Sequence, residues 1–187
     1  MVQYMRPTDD KAAGTDWTST DEDDDTAEPI FFSAIDEASV DDNDRITCDG
    51  SNGGDTIDFE LTNGITDPGV VTGHKIVYRW RIAENGSSAC TLTAKLMVGS
   101  TVHATDTVNV AGTSGWTTTE HTDNLDSALG SDAAYDNAFL RFEFDDSTDA
   151  MEELDISWAY IEVPDAAAAA PAAEPDLPGA AFLMFVD

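Results

Sequence analysis

The acidic stretch IDEASVDDNDRI, residues 35–46, holds the densest set of side chains that could do chemistry. It carries five carboxylates in twelve residues. Such a set can form a catalytic acid pair, a calcium site or a charged surface. The spacing of the carboxylates and the nature of their neighbours decide between these interpretations.

The spacing of the acidic residues does not match a calcium loop. An EF-hand loop needs oxygen ligands at alternating positions, Gly at position six and Glu at position twelve. A loop starting at Asp21 has Thr26 at position six, and a loop starting at Asp42 breaks the alternation at position five. We therefore predict no metal site, although a looser cation site at Asp21–Asp25 or Asp41–Asp44 stays open.

Catalytic groups are only weakly indicated. Asp36 and Glu37 lie beside Ile35 and match a glycosidase acid pair by residue type alone. With 38 acidic residues in the chain, any pair of carboxylates is a weak signal. Phosphate-binding, dinucleotide-binding and zinc-protease motifs are absent from the sequence, and its histidines stand apart at His74, His103 and His121. We predict no catalytic residue, no cofactor and no enzyme activity.

Aromatic side chains are the remaining candidates for a site, as a platform for sugars. Tyr78 and Trp80 share one face of a predicted strand, and Trp158 and Tyr160 share one face of another. Apolar residues accompany both pairs, so we interpret them as core. Trp116 follows a Gly-rich turn and is predicted to be an exposed ring available for glycan contact.

The charge balance limits the partners of the chain. There are 38 acidic and 8 basic residues among 187, and the net charge is −30. Halophilic proteins use such self-repulsion, which salt screens, so we predict adaptation to high salt. Without a basic stripe, nucleic acid is excluded as a partner. No apolar run is long enough to span a membrane, and the first residues lack the apolar segment of a signal peptide.

Short apolar segments, many with period-two alternation, predict strands. They are residues 30–35, 45–48, 56–61, 74–82, 90–98, 101–110, 116–121, 138–144 and 154–163. This pattern predicts an all-β, antiparallel two-sheet sandwich of the jelly-roll type. One short helix is expected around residues 124–130. Cys48 and Cys90 are interpreted as small buried hydrophobes, with a disulfide as the alternative.

Composition divides the chain into four parts. Residues 1–28 form a polar, acidic N-terminal segment, and residues 29–164 form the sandwich. Residues 165–179 are an Ala/Pro linker, and residues 180–187 are an apolar segment. Fully exposing that last segment is unfavourable, so we predict that it docks on another chain through Phe182, Leu183, Met184, Phe185 and Val186. The alternatives are that it folds back onto its own sandwich or forms a disordered end.

The order of landmarks resembles a β-sandwich domain of small virion-surface proteins in tailed phages. The landmarks are Arg6-Pro7, Trp17, FSAIDEASVDDNDRI at 32–46, HKIVYRWRIA at 74–83, the segment 92–110, and the closing strands FLRFEF and LDISWAYIEVP. The resemblance covers about residues 5–164 and marks a fold and a virion context rather than any chemistry. The much greater acidity of this chain suggests a virus of a halophilic, haloarchaeal host.

The resemblance implies a non-enzymatic structural protein on the virion surface, most simply a capsid decoration or turret subunit. Its partners would be a major capsid or tail protein and further copies of itself, with a host-surface glycan as an additional ligand. The alternatives are a tail or head fibre, a host-glycan-binding module of a halophile virus, or a secreted carbohydrate-binding module. Insertion into a membrane is not expected.

The charge of the chain predicts salt-dependent folding. Repulsion between carboxylates acts over about 10 Å in 0.1 M salt and over about 3 Å in 1 M salt. The midpoint of thermal unfolding should therefore rise as salt increases from about 0.1 M to 3 M. A flat or falling midpoint, measured by circular dichroism, would contradict the adaptation to high salt.

Overall fold

The computed structural model describes residues 2–14, 16–20, 31–49, 54–82, 90–110, 115–123, 125, 129–146 and 153–165. These residues form eleven strands and one short α-helix, α1, at Asp132–Tyr135. The strands are β1 Gln3–Met5, β2 Pro7–Ala13, β3 Trp17–Thr20, β4 Arg45–Cys48, β5 Asp55–Leu61, β6 His74–Ile82, β7 Cys90–Val98, β8 Thr101–Asn109, β9 Thr117–Asp123, β10 Ala138–Asp146 and β11 Leu154–Val163. Strands β4, β6, β7 and β11 have the predicted bounds.

The strands form two sheets, and all their pairings are antiparallel. Sheet A has the order β3-β4-β11-β6-β9, with β1 also paired to β11, and sheet B has the order β2-β5-β10-β7-β8. Most neighbouring strands are distant in sequence, as in jelly rolls. The predicted antiparallel, jelly-roll-like sandwich is confirmed.

The inner faces of both sheets share one apolar core. Tyr78 of sheet A makes an edge contact with Phe142 of sheet B, at 5.6 Å between ring centres. Phe142 in turn contacts Phe59 at 6.4 Å, and all three rings are buried. Cys48 and Cys90 are also buried in this core, as their interpretation as small apolar residues predicts.

The sandwich begins earlier than the boundary predicted at residue 29. Strands β1, β2 and β3 all precede that boundary and belong to the two sheets. Each buries few side chains, among them Met5, Pro7 and Trp17. Strand β2 also pairs irregularly with β5, with two shifts of register. Such short and irregular edge strands lack the alternation by which a strand is recognised in sequence.

The first predicted strand, residues 30–35, is not a strand in the part that is described. Residues Phe32–Ala34 form one turn of 3-10 helix. The carboxylate of Asp10 accepts hydrogen bonds from the backbone N–H groups of Phe31 and Phe32, at 2.9 and 2.8 Å. These bonds satisfy donors that a helical turn leaves free, so a residue distant in sequence fixes the turn.

The short α-helix in the described residues lies beyond the range predicted for a helix, residues 124–130. Residues 125, 129 and 130 are described and are not helical, whereas α1 starts at Asp132. Ser131 is its N-cap, with Oγ accepting a hydrogen bond from the N–H of Ala134 at 3.3 Å. Neither helix in the described residues is long and apolar enough to cross a membrane.

Ion pairs occupy the outer faces of both sheets. Seven of the eight cations pair with carboxylates: Lys11 with Glu60, Arg45 and Arg81 with Asp155, Lys75 with Glu120 and Glu162, Arg79 with Asp42, Lys95 with Glu143, and Arg141 with Asp58. Asp155 and Asp58 are only 2% and 5% exposed. A buried carboxylate needs such a partner, because removal from water is unfavourable for a charge.

The pair on sheet B between Asp58 and Arg141 predicts a large mutational effect. Asp58 accepts from Nε and Nη2 of Arg141 at 2.6 and 2.7 Å. Asp58→Ala leaves the guanidinium without this partner and should destabilise the fold by about 3 kcal/mol. Glu60→Ala, two residues along the same strand, removes an exposed pair and should cost less than about 1 kcal/mol. Urea unfolding at constant salt measures both, and equal costs would contradict the role of burial.

Candidate functional site

The outer face of sheet A carries the candidate site, and β6 lies near its centre. The predicted inner face of β6 is confirmed, with buried side chains at Ile76, Tyr78, Trp80 and Ile82. The alternate positions face outward, and they are Lys75, Val77, Arg79 and Arg81. This face therefore presents cations at three positions of one strand.

A β-bulge in β11 determines which of its aromatic residues reach this outer face. The pairing of β11 with β6 shifts register between Ile156 and Trp158, so Ser157 is an extra residue. Beyond it, Trp158 pairs with Arg79, and side chains directly opposite in a sheet lie on one face. Trp158 and Tyr160 are therefore on the outer face and half-buried. Their prediction as core residues is wrong.

The sequence of β11 does contain a signal of this change. An unbroken alternation from Leu154 would place Glu162 on the core face and Ile161 and Val163 on the outer face. The structure reverses this assignment, with Ile161 and Val163 fully buried. A strand whose charged and apolar residues exchange faces part-way along thus indicates a bulge.

Four aromatic side chains on this face form what we call the outer aromatic row: Tyr4, Tyr160, Trp158 and Trp116. Trp158 and Tyr160 are in edge contact at 4.9 Å between ring centres, and Tyr4 meets Tyr160 at 5.5 Å. Tyr4 is on β1 and is 48% exposed. The row thus runs over β1 and β11 and continues across β6 to Trp116, just before β9.

Trp116 lies half-buried over two arginines. The guanidinium carbons of Arg81 and Arg79 are 4.6 and 5.6 Å from its ring centre. Arg79 donates from Nε and Nη2 to the two carboxylate oxygens of Asp42, each at 2.7 Å. Arg81 donates from Nε to Asp155 at 2.7 Å. Because carboxylates hold both arginines, the cation–π contacts hold the indole in a defined position.

The acidic stretch 35–46 lies against the bulge and contacts Trp158 and Arg6, away from the Trp116 end of the row. The carbonyl oxygen of Ile35 accepts from the N–H of Ala159 at 3.1 Å. The carbonyl oxygen of Glu37 accepts from Nε1 of Trp158 at 2.9 Å and from Nη1 of Arg6 at 2.7 Å. The stretch therefore positions two groups of the site through its backbone rather than through its carboxylates.

The three aspartates in the second half of this stretch, Asp41, Asp42 and Asp44, have different roles. Asp41 accepts a hydrogen bond from the N–H of Asn43 at 2.9 Å and holds the turn. Asp44 is only 8% exposed. Hydrogen bonds from Arg79 lower the pKa of Asp42, which keeps this carboxylate charged in its ion pair. The flanking residues Ile35 and Ile46 are fully buried in the core.

The carboxyl group of Glu37 has an unusual environment. Burial raises its pKa from 4.5 to about 7, and the negative charges of Asp36, Asp44 and Asp41 add to this effect. A hydrogen bond from its own backbone N–H opposes the shift. Its Oε2 atom is buried and has no hydrogen-bond partner among the described residues. Glu37 therefore titrates near neutral pH.

The carboxylates of these surroundings form no metal site among the described residues. Across the ranges that the structure describes, no group of three or more His, Cys, Asp or Glu side chains is arranged to hold a metal ion. At Asp41–Asp44, the carboxylate of Asp42 is already paired with Arg79. The alternative cation site at Asp21–Asp25 lies outside the described residues, and so do the predicted docking residues 182–186.

Two of the histidines make specific contacts, although sequence reasoning treated them as isolated. Nε2 of His74 lies 2.8 Å from the hydroxyl of Tyr135, and burial lowers the pKa of His74. Nδ1 of His121 lies 3.2 Å from Asp106, which also accepts from the hydroxyl of Tyr78 at 2.7 Å. Asp106 is on β8 of sheet B, so this group joins the two sheets where their edges meet.

Another surface depression, at the β2–β5–β10 side of sheet B, is less suited to a ligand. It has a volume of about 160 Å³ and is lined by polar side chains that include Lys11, Glu60, Asn63 and Asp136. Ligand pockets usually have volumes of about 300–1,000 Å³ and aromatic or apolar linings. The outer aromatic row is therefore the better candidate.

Comparisons with known proteins find distant structural similarities. No protein-family model and no curated protein sequence matches the chain. The C-terminal CBM6 of a marine laminarinase from Zobellia galactanivorans is 17% identical, covers 87% of this chain and 100% of its own, and has a TM-score of 0.48. A carbohydrate-binding module of lichenase 5A from Cellvibrio mixtus, in complex with cellotriose, is 19% identical, with coverages of 88% and 99% and a TM-score of 0.47.

A Stig cyclase from Fischerella sp. TAU is also similar, at 11% identity, with coverages of 87% and 90% and a TM-score of 0.47. Binding modules and an enzyme thus occur among these structures. At such low identities and TM-scores, the similarities assign neither a family nor a function to this chain.

The raised pKa of Glu37 predicts a pH-dependent contribution to stability. Between about pH 4.5 and 7 the folded carboxyl binds more protons than the unfolded one, so stability falls as pH rises through this window. Glu37→Gln removes the ionisation. After allowance for solvent screening, the variant should be about 1 kcal/mol more stable than the wild type at pH 8, with no gain at pH 4.

Urea unfolding at pH 4, 6 and 8 in 3 M salt measures this difference. High salt suppresses the long-range effect of the other carboxylates. Glu60→Gln, at an exposed carboxylate, is the matched control and should not reproduce the gain in stability at pH 8. If both variants change in the same way with pH, the local environment of Glu37 is not the cause.

Proposed function

We propose that this chain is a non-enzymatic, glycan-binding β-sandwich and that its ligand lies along the outer aromatic row. The observation that carries the proposal is the position of Trp116, which stacks on Arg79 and Arg81 outside the core. Both arginines are held by carboxylates before any ligand arrives. Binding is stronger when the contacting groups are already ordered, because less entropy is lost.

The chemistry of the row suits a saccharide. Aromatic rings pack against the C–H groups on the face of a sugar ring, and nearby polar groups bind its hydroxyls. Beside the rings lie guanidinium groups and the hydroxyl of Thr118, which accepts from Arg79 at 3.2 Å. From β11 to β9 the row crosses two strand spacings, or about 10 Å. This length favours an oligosaccharide over a single sugar.

Hydrolysis is a poorer explanation of the same surface. A glycosidase needs two carboxyl groups facing its substrate, and one of them must be protonated. Glu37 has a suitably raised pKa, but its Oε2 is buried. The nearby Asp42 forms a two-point ion pair with Arg79, which occupies both of its oxygens. Neither carboxyl is therefore available to a glycosidic bond, and we propose binding without turnover.

The virion setting is a further part of the proposal. It is supported by the landmarks shared with phage surface domains, whereas adaptation to high salt is supported by the net charge of −30. A decoration or fibre subunit that contacts a host-surface glycan would use the outer aromatic row in the same way. The setting is tested by particle incorporation, and the glycan ligand is tested by binding.

Trp116→Ala should abolish most of the glycan binding. We expect at least a tenfold loss of affinity, in the range found when an aromatic anchor of an interface is removed. Binding is measured by affinity electrophoresis against a panel of soluble plant, algal and microbial polysaccharides, followed by calorimetry with the best ligand. Circular dichroism checks that the half-buried ring is not needed for folding.

Glu60→Ala is the control for this experiment, because Glu60 is exposed on the outer face of sheet B, opposite the proposed site. Its affinity should equal that of the wild type. The proposal fails if no polysaccharide of the panel binds the wild type. It also fails if the folded Trp116→Ala variant binds with unchanged affinity.

A further inference from the structure

Arg6 occupies a position at one end of the outer aromatic row. Its guanidinium carbon lies 5.2 Å from the ring centre of Tyr160 and 6.0 Å from that of Tyr4. Nη1 donates to the carbonyl oxygen of Glu37 at 2.7 Å. The backbone of Arg6 is fixed as well, because it exchanges hydrogen bonds with Thr62. The side chain is thus held between two rings.

Arg6 differs from every other cation of the chain. The other seven are ion-paired with carboxylates, whereas Arg6 has no such pair among the described residues. This is unexpected in a chain with 38 acidic residues. A guanidinium carries five N–H donors, and the contact with Glu37 uses one of them. Donors remain for an oxyanion of a ligand.

We propose that Arg6 makes this site selective for anionic glycans, which carry a carboxylate or a sulfate. This inference rests on the proposed glycan-binding function and adds the class of saccharide. The sugar ring packs on Tyr4 and Tyr160, and its oxyanion receives hydrogen bonds from Arg6. The planar fork of a guanidinium matches a carboxylate, and such charge-assisted bonds are stronger than neutral ones.

The net charge of the protein gives this selectivity an unusual dependence on salt. Carboxylates elsewhere on the chain repel an anionic ligand at long range, and about 1 M salt confines that repulsion to about 3 Å. The contact between Arg6 and the ligand acts over a shorter distance, so salt weakens it less than it weakens the long-range repulsion. Binding of an anionic glycan should therefore strengthen as salt rises from 0.1 M to 1 M, whereas most charged ligands bind more weakly.

The experiment uses the full chain and four probes at 1 M salt: an oligogalacturonide, its carboxyl-reduced neutral form, a sulfated galactan oligosaccharide and its desulfated form. We expect the wild type to bind at least one anionic probe about tenfold more tightly than the matched neutral form. Arg6→Gln should weaken binding of the anionic probe about tenfold more than binding of its neutral form, which removes this preference. The two anionic probes distinguish carboxylate from sulfate as the recognised group.

Two control variants separate a local contact from a general effect of charge. Lys11→Gln removes the same charge from an exposed pair on the outer face of sheet B and should keep the preference. Arg6→Lys keeps the charge without the planar fork and should retain part of it. The inference is overturned if neutral and anionic probes bind equally well, or if Arg6→Gln weakens both by the same factor. If no probe of either kind binds, the glycan-binding function itself fails.

Discussion

The structure depends on a shared core that accepts only one face of each strand. Side chains alternate along a strand, so every residue that cannot enter the core must lie on an outer face. In this chain the outer faces receive nearly all the cations, and carboxylates of neighbouring strands pair with them. The few basic residues are therefore used to neutralise carboxylates at positions where water is largely excluded, such as Asp58 and Asp155.

The bulge at Ser157 changes which side chains of β11 face the core and which face outward. Without it, the alternation of β11 would bury Trp158 and Tyr160 and expose Ile161. One inserted residue returns the apolar residues at the end of the strand to the core and brings two aromatic rings to the surface. The hydroxyl of Ser157 donates to Asp42 at 3.0 Å. Bulges re-aim side chains in this way, and they are frequent beside binding and active sites.

The parts of the fold that were predicted correctly are those whose sequence pattern is contained within a single strand. Strand β6 shows its period-two pattern over nine residues, and both its bounds and its inner face follow from the sequence. The edge strands β1 to β3 were missed because they are short and mostly exposed. The 3-10 turn after residue 31 was also missed, since its two N–H groups are satisfied by Asp10, about twenty residues away. Such contacts are tertiary and leave no periodic signal.

The candidate site was predicted less well than the fold, and the reason is physical. Trp116 was singled out as a contact residue, but Tyr4, Trp158 and Tyr160 join it only because a bulge and an added edge strand place them on one face.

The strong acidity of the chain also concealed the importance of Arg6. In a protein of net charge −30, a cation acquires a specific role through what surrounds it, and composition does not reveal this. Two aromatic rings and one carbonyl oxygen hold Arg6 without neutralising it. When salt screens long-range electrostatic interactions, each charged group interacts mainly with groups a few ångströms away. A very acidic surface and a local positive site can therefore coexist.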